Sequence, residues 1–157
     1  MGSETLVYKQ KLQDNIKECK KHLHRLNIAF NELSKNYSFP IKTSQYHKIL
    51  NSSKELAFSD QVIYRFSKLQ DSMGAKLFKS LLLYQGENID KPFLDILNRL
   101  EKMDILNIDE WFEIRDLRNE ISHDYDSNEE NVIEILNLIY SLKDELSNIL
   151  NKIESLT

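Results

Sequence analysis

Glycine and proline are scarce in this chain, at three and two of its 157 residues. Turn-rich β architectures use glycine for left-handed backbone and proline for fixed φ, so the deficit argues for helices. The single cysteine, Cys19, excludes an internal disulfide and a cysteine-based zinc site, and fits a reducing cytosol. No run of about 18 apolar residues occurs, and the N-terminus lacks the apolar core of a signal peptide. These absences lead us to expect a cytoplasmic chain with no membrane partner. A basic surplus is missing as well: 21 Lys+Arg against 25 Asp+Glu leave a formal charge of -4. A general nucleic-acid coat protein is basic, so any RNA binding must come from a local patch or a partner. The length suits one domain with a real hydrophobic core, spanning 1–157.

Apolar residues at helical spacing fill most of the chain. Tyr8, Leu12, Ile16, Cys19, Leu23, Leu26, Phe30 and Leu33 follow one another in steps of three and four, one face of a helix roughly 40 Å long. The lysines early in this helix fall mainly off the stripe and read as a solvated face, with guiding RNA as the alternative. Residues 36–53 contain Pro40 and a cluster of turn formers, and read as a connection with a short helical turn around Tyr46 to Leu50. A second helix is predicted from about Ser59 to Tyr84, with Gly74 bending it or admitting a close neighbour and Gly86 ending it. Asp90 is expected to cap a short helix with Pro92 in its first turn, and Asn107 or Asp109 to cap the next. That helix turns Trp111, Ile114, Leu117 and Ile121 inward. Ser127 and Glu130 have the spacing of a capping box, opening a last helix that carries Val132 through Ile153 on one side. The predicted architecture is all-α, an antiparallel up-and-down bundle of four to five helices.

Three positions near the end of the Trp111 helix add chemistry to this scaffold: Arg118, His123 and Tyr125, in the stretch WFEIRDLRNEISHDY. Arg115, Arg118 and Ser122 share one face, read as roughly opposite the stripe of Ile114, Leu117 and Ile121. His123 sits about 140° round from Arg118 on a regular helix. The two therefore meet only if the helix ends near Ser122 or a second copy supplies the facing group. An imidazole can donate or accept a proton at neutral pH, and a guanidinium matches phosphate oxygens in a fork. Together they suit RNA transesterification, with Asn119 available to orient the histidine or the substrate. No cofactor or metal is called for. Chance alone places Arg-x4-His in about one such chain in eight, and the added Tyr brings this under about one in a hundred.

LRNEISHDY resembles the signature of the HEPN superfamily, and the Arg-x4-His-x-Tyr pattern is similar to HepT-like toxins of two-gene modules. The likeness is best from about Phe58 to Leu138; the 36–53 connection is longer than a minimal member needs. The resemblance implies an up-and-down helical bundle that forms a homodimer, with two motifs facing one cleft. It implies metal-independent cleavage of RNA, with Arg118 and His123 as the catalytic pair and Asn119 as the polar residue after the arginine. It further implies a nucleotidyltransferase antitoxin as partner, which attaches AMP to Tyr125.

Each residue also has a plainer reading. Arg118 can pair with Asp116, Glu120 or a neighbouring helix; His123 can simply end a helix, favoured by the dipole; Tyr125 can pack in a corner. Trp111 reads as core and Cys19 as a buried thiol, and His22 and His24 face different ways. The rival from another class is a non-catalytic module that docks a nucleotidyltransferase or a nucleotide, and a purely structural adaptor stands third.

Overall fold

The computed structural model describes residues 2–157, and every regular element among them is helical. The order is α1 (Gly2–Ser34), α2 (Thr43–Leu50), α3 (Ser53–Ser72), α4 (Phe78–Tyr84), α5 (Phe93–Lys102), α6 (Ile108–Ile121) and α7 (Glu129–Ser155). A π turn, Met73–Leu77, joins α3 and α4 into one rod, and a 3-10 turn, Tyr125–Ser127, precedes α7. With α3 and α4 counted as one rod, α1, α5, α6 and α7 complete the expected bundle, and α2 is added to it. No helix among the described residues is long and apolar enough to cross a membrane.

Pairs of contacts fix the directions. Tyr37 donates to Glu55 and Lys76 reaches Glu18, so α1 and the α3–α4 rod run antiparallel. Phe30 meets Tyr140 edge to face and Lys20 pairs with Glu154, so α1 and α7 are antiparallel too. α6 packs on both α3 and α7. One core runs through the layers: Leu12, Ile16, Cys19, Leu26, Phe30 and Leu33 of the expected α1 stripe are buried, as are Trp111, Ile114, Leu117 and Ile121 of α6. Burial pushes the Cys19 thiol up to about 12, so it stays protonated.

The ends of the helices depart from the sequence reading in instructive ways. α3 starts six residues earlier than Ser59, at Ser53, because Ser52 accepts from the Glu55 N–H at 3.2 Å. Ser-x-x-Glu at 52–55 is a capping signature hidden in what looked like a linker. α2 is a full eight-residue helix, begun where the Lys42 N–H donates to Gln45 Oε1. Asp90 does not cap α5; Pro92 itself occupies the cap position, in extended geometry, and makes no side-chain bond. Of the two candidates for α6, Asn107 is the cap, accepting from Glu110 at 3.0 Å. At α7 the cap is Asn128, one residue beyond Ser127, since its amide oxygen takes the N–H groups of Glu130 and Asn131. Ser127 is already engaged, donating to the Asp124 carbonyl and closing the 3-10 turn. The 36–53 connection is pinned to α7 by a side-chain amide: Ile41 N–H donates to Asn137 Oδ1 at 2.8 Å, and Asn137 Nδ2 returns a bond to the Ile41 carbonyl.

His22 takes a buried place on α1, where Arg65 Nη1 of α3 lies 3.0 Å from its Nδ1. Burial first, then the Arg65 charge, lowers its pKa below the ordinary 6.5 and holds it neutral. A depressed histidine pKa contributes stability above the unfolded value and loses it as pH falls toward the folded one. His22→Gln keeps an acceptor for Arg65 and removes the titration. Urea unfolding of this variant should show a shallower loss of stability below about pH 6.5 than the parent chain. Equal slopes would assign the acid sensitivity elsewhere.

Candidate functional site

Arg118, Asn119, His123 and Tyr125 occupy the last turn of α6 and the corner after it. α6 ends at Ile121 and Ser122 caps it, its N–H bonding to the Arg118 and Asn119 carbonyls while its hydroxyl donates to the latter at 2.6 Å. The helix therefore stops where an Arg118–His123 meeting requires. His123 is exposed, its backbone N–H closing a last turn onto the Glu120 carbonyl. Asn119 is exposed as well.

Arg118 is placed differently from the sequence reading. It lies beside the buried stripe of α6, not opposite it, because seven residues make almost two whole turns and stack it over Trp111. It consequently faces α3. Its Nε and Nη2 donate to Asp71 Oδ1 and Oδ2 at 2.9 and 3.0 Å, a two-pronged pair that fixes the guanidinium plane. Nη1 takes no part in that pair, and the side chain keeps 25% of its surface exposed. Of the plainer readings, pairing with a neighbouring helix is the one found, and Asp116 and Glu120 are not its partners. Within one chain no hydrogen bond joins Arg118 to His123 among the described residues.

Tyr125 is half-buried in the 3-10 turn and packs against the core. Its carbonyl accepts from Asn131 of α7 at 3.1 Å. Burial first, then the Asp60 and Asp126 carboxylates, raises its pKa above 10 and keeps the phenol protonated. Asp60, on α3, is itself raised by burial and by Asp126. Tyr46 of α2 feels Asp60, Glu129, Tyr125 and Asp126. His47 closes this wall with a 2.7 Å contact to Glu129, bridging α2 and α7.

Tyr125 therefore stands at a corner rich in carboxylates, whereas the arginine is held on the α3 side by one. Sequence reasoning missed Asp71 and Asp60. Nothing local signals either, since each acts on a residue far along the chain. No protein-family model, curated protein or solved structure matches the chain.

The Asp71–Arg118 pair is partly open to water, with Asp71 at 44% exposure, so its net worth to folding is small. Asp71→Ala should change unfolding stability by less than about 1 kcal/mol. It should also free the guanidinium to move, which appears as line broadening of the Arg118 Nε–H resonance. A loss well above that magnitude would show the pair to be a structural fastening.

Proposed function

We propose that the protein is a metal-independent endoribonuclease of HEPN type, the toxin of a two-gene module, acting as a homodimer. The observation that carries this reading is the Arg118 fork, clamped edge-on by Asp71 with Nη1 unused, one turn ahead of an exposed His123. A fixed guanidinium with a spare donor binds a phosphate without first paying to order its own side chain.

In this scheme an RNA phosphate sits against Arg118 Nη1. A base, His123 of one chain or of a second copy, takes the ribose 2'-OH proton, and the oxygen attacks the adjacent phosphorus. The P–O5' bond breaks as the facing imidazole delivers a proton to the leaving oxygen, giving a 2',3'-cyclic phosphate. Arg118 stabilises the charge that gathers on the phosphorane oxygens, and Asn119 positions the substrate or the imidazole. The partner is a nucleotidyltransferase antitoxin. Attack of Tyr125 Oη on the α-phosphorus of ATP forms the Oη–P bond, expels pyrophosphate and releases the phenol proton to a base. The added anion then repels RNA and occupies Arg118.

His123→Ala should lower RNA cleavage by about 100-fold or more, measured with chelator present, and leave the helical circular dichroism unchanged. Undiminished cleavage by that variant removes the enzyme reading. After incubation with a cognate nucleotidyltransferase and ATP, mass spectrometry should find AMP on Tyr125; adducts confined to other residues count against the inhibition scheme.

The second reading, a non-catalytic docking module, is favoured by one observation. Asp60, Asp126 and Glu129 gather around Tyr46 and Tyr125, a negative surface that suits a basic protein better than RNA phosphate. Fragments ending in 2',3'-cyclic phosphate decide for the enzyme, and their absence for the module.

A further inference from the structure

The Tyr64 ring of α3 is 50% exposed, the highest value of any aromatic side chain among the described residues. Two cations flank it: Arg65 Cζ lies 5.1 Å and Lys68 Nζ 5.6 Å from the ring centroid. Neither has a carboxylate within 4.0 Å among the described residues. Arg65 is held instead by an uncharged group, its Nη1 donating to Nδ1 of the neutral His22 at 3.0 Å. An imidazole without charge fixes the guanidinium and leaves its positive charge uncancelled. The same imidazole reports the local sign. Beside burial, the charges of Arg65, Lys21 and Lys68 lower its pKa, and Glu18 alone among its neighbours opposes them. In a chain of net charge -4 this is the kind of local basic patch that RNA binding requires.

The patch leads to the motif. Tyr64, Lys68 and Asp71 follow one another at steps of four and three, so they share one face of α3. Asp71 clamps Arg118, and that bond answers the aspartate's charge within the face. Seven residues at about 1.5 Å of rise place Tyr64 about 10 Å along α3 from the clamp. A strand advances about 3.4 Å per stacked nucleotide, so the interval takes about three nucleotides. Asp60, one turn before Tyr64, closes the patch at its other end.

We propose that this face of α3 is a binding track for single-stranded RNA that leads to Arg118, with one base on the Tyr64 ring and the neighbouring phosphates on Arg65 and Lys68. The track deepens the ribonuclease reading by naming where the substrate lies, and rests on it for the choice of RNA. Every base offers a π-face, so a tyrosine between two cations grips a strand without reading its sequence. An exposed cation–aromatic contact is weaker than base stacking. A base therefore displaces the Lys68 ammonium from the ring and leaves it for a phosphate. A duplex keeps its base faces stacked inside and cannot use the tyrosine.

Fluorescence anisotropy of the full chain with a labelled 2'-O-methyl oligoribonucleotide tests it, because a blocked 2'-oxygen cannot attack and the strand stays whole. Tyr64→Ala and Lys68→Glu should each raise Kd about fivefold or more with circular dichroism unchanged, whereas Tyr64→Phe keeps the ring and the affinity. Lys143→Glu is the control. It makes the same change of charge beside Tyr140 on α7 and should leave Kd within about twofold. The same oligonucleotide in a duplex should bind more weakly. No binding, an equal loss in Lys143→Glu, an unchanged Kd in Tyr64→Ala, or a duplex that binds as tightly overturns the track. Binding that follows these variants, in a chain that leaves an unmodified oligoribonucleotide uncut, supports the track and removes the ribonuclease reading. Cleavage whose KM is untouched by Tyr64→Ala does the reverse.

Discussion

Contact between the Trp111 indole and the backbone at Gly74 sets how closely α6 can lie on the α3–α4 rod. A β-carbon built at Gly74 stands 3.3 Å from Trp111 Cζ2, tighter than most such contacts, and 3.6 Å from Gln70 Nε2, an ordinary contact. The ring is fully buried and meets Phe78 edge to face with centroids 4.7 Å apart. Gly74 lies within the π turn, where the chain makes room for the indole without breaking the rod. Two turns further along α6, the same face presents Arg118 to Asp71. The arginine's aim thus follows from a packing decision at the other end of its helix. A larger residue at 74 would require the indole to give by a few tenths of an ångström.

The corner after α6 is built on different terms. α6 and α7 hold it by packing, but its polar content comes from α2 and α3 as well as from the corner itself. Tyr46 and Tyr125 are both kept as phenols by burial and by the same carboxylates, Asp60 and Asp126. A protonated phenol is a poor nucleophile, so any group transfer onto Tyr125 requires a base, supplied by the chain or by its partner. α2 reaches this corner because the Asn137 amide holds the preceding loop at Ile41. The segment that looked like an idle connection therefore forms one wall of the candidate site.

The helices were legible because their apolar spacing is regular over many turns, as the buried residues of α1, α6 and α7 show. Helix ends were less so. Ser127 and Asn128 are both competent caps, and which one is used depends on whether the serine hydroxyl is already taken by the 3-10 turn. The motif itself was legible as letters at a spacing, and a new helix soon after it was signalled, though at Ser127 where the cap is Asn128. The motif's electrostatic setting was not. Asp71 lies 47 residues from Arg118 and Asn137 lies 96 from Ile41, and no periodicity encodes such pairings. The face assigned to Arg118 was misread for a simpler reason: at about 100° per residue it lies only about 40° round from Ile114 and about 60° from Ile121, so it adjoins their stripe.

The π turn has a meaning for how the rod came by its present shape. Five residues from Met73 to Leu77 occupy a widened coil, and the Phe78 N–H reaches back to the Met73 carbonyl. Such a coil is what a regular helix becomes when it absorbs one additional residue and keeps both flanks helical. Everything downstream is then out of phase by about 100°, the angle of one helical step. Removing a single residue from this segment would restore an unbroken helix and rotate Phe78, Leu81 and Leu82 away from the core they now fill. The rod's length in this short interval is thus locked to its side-chain phase.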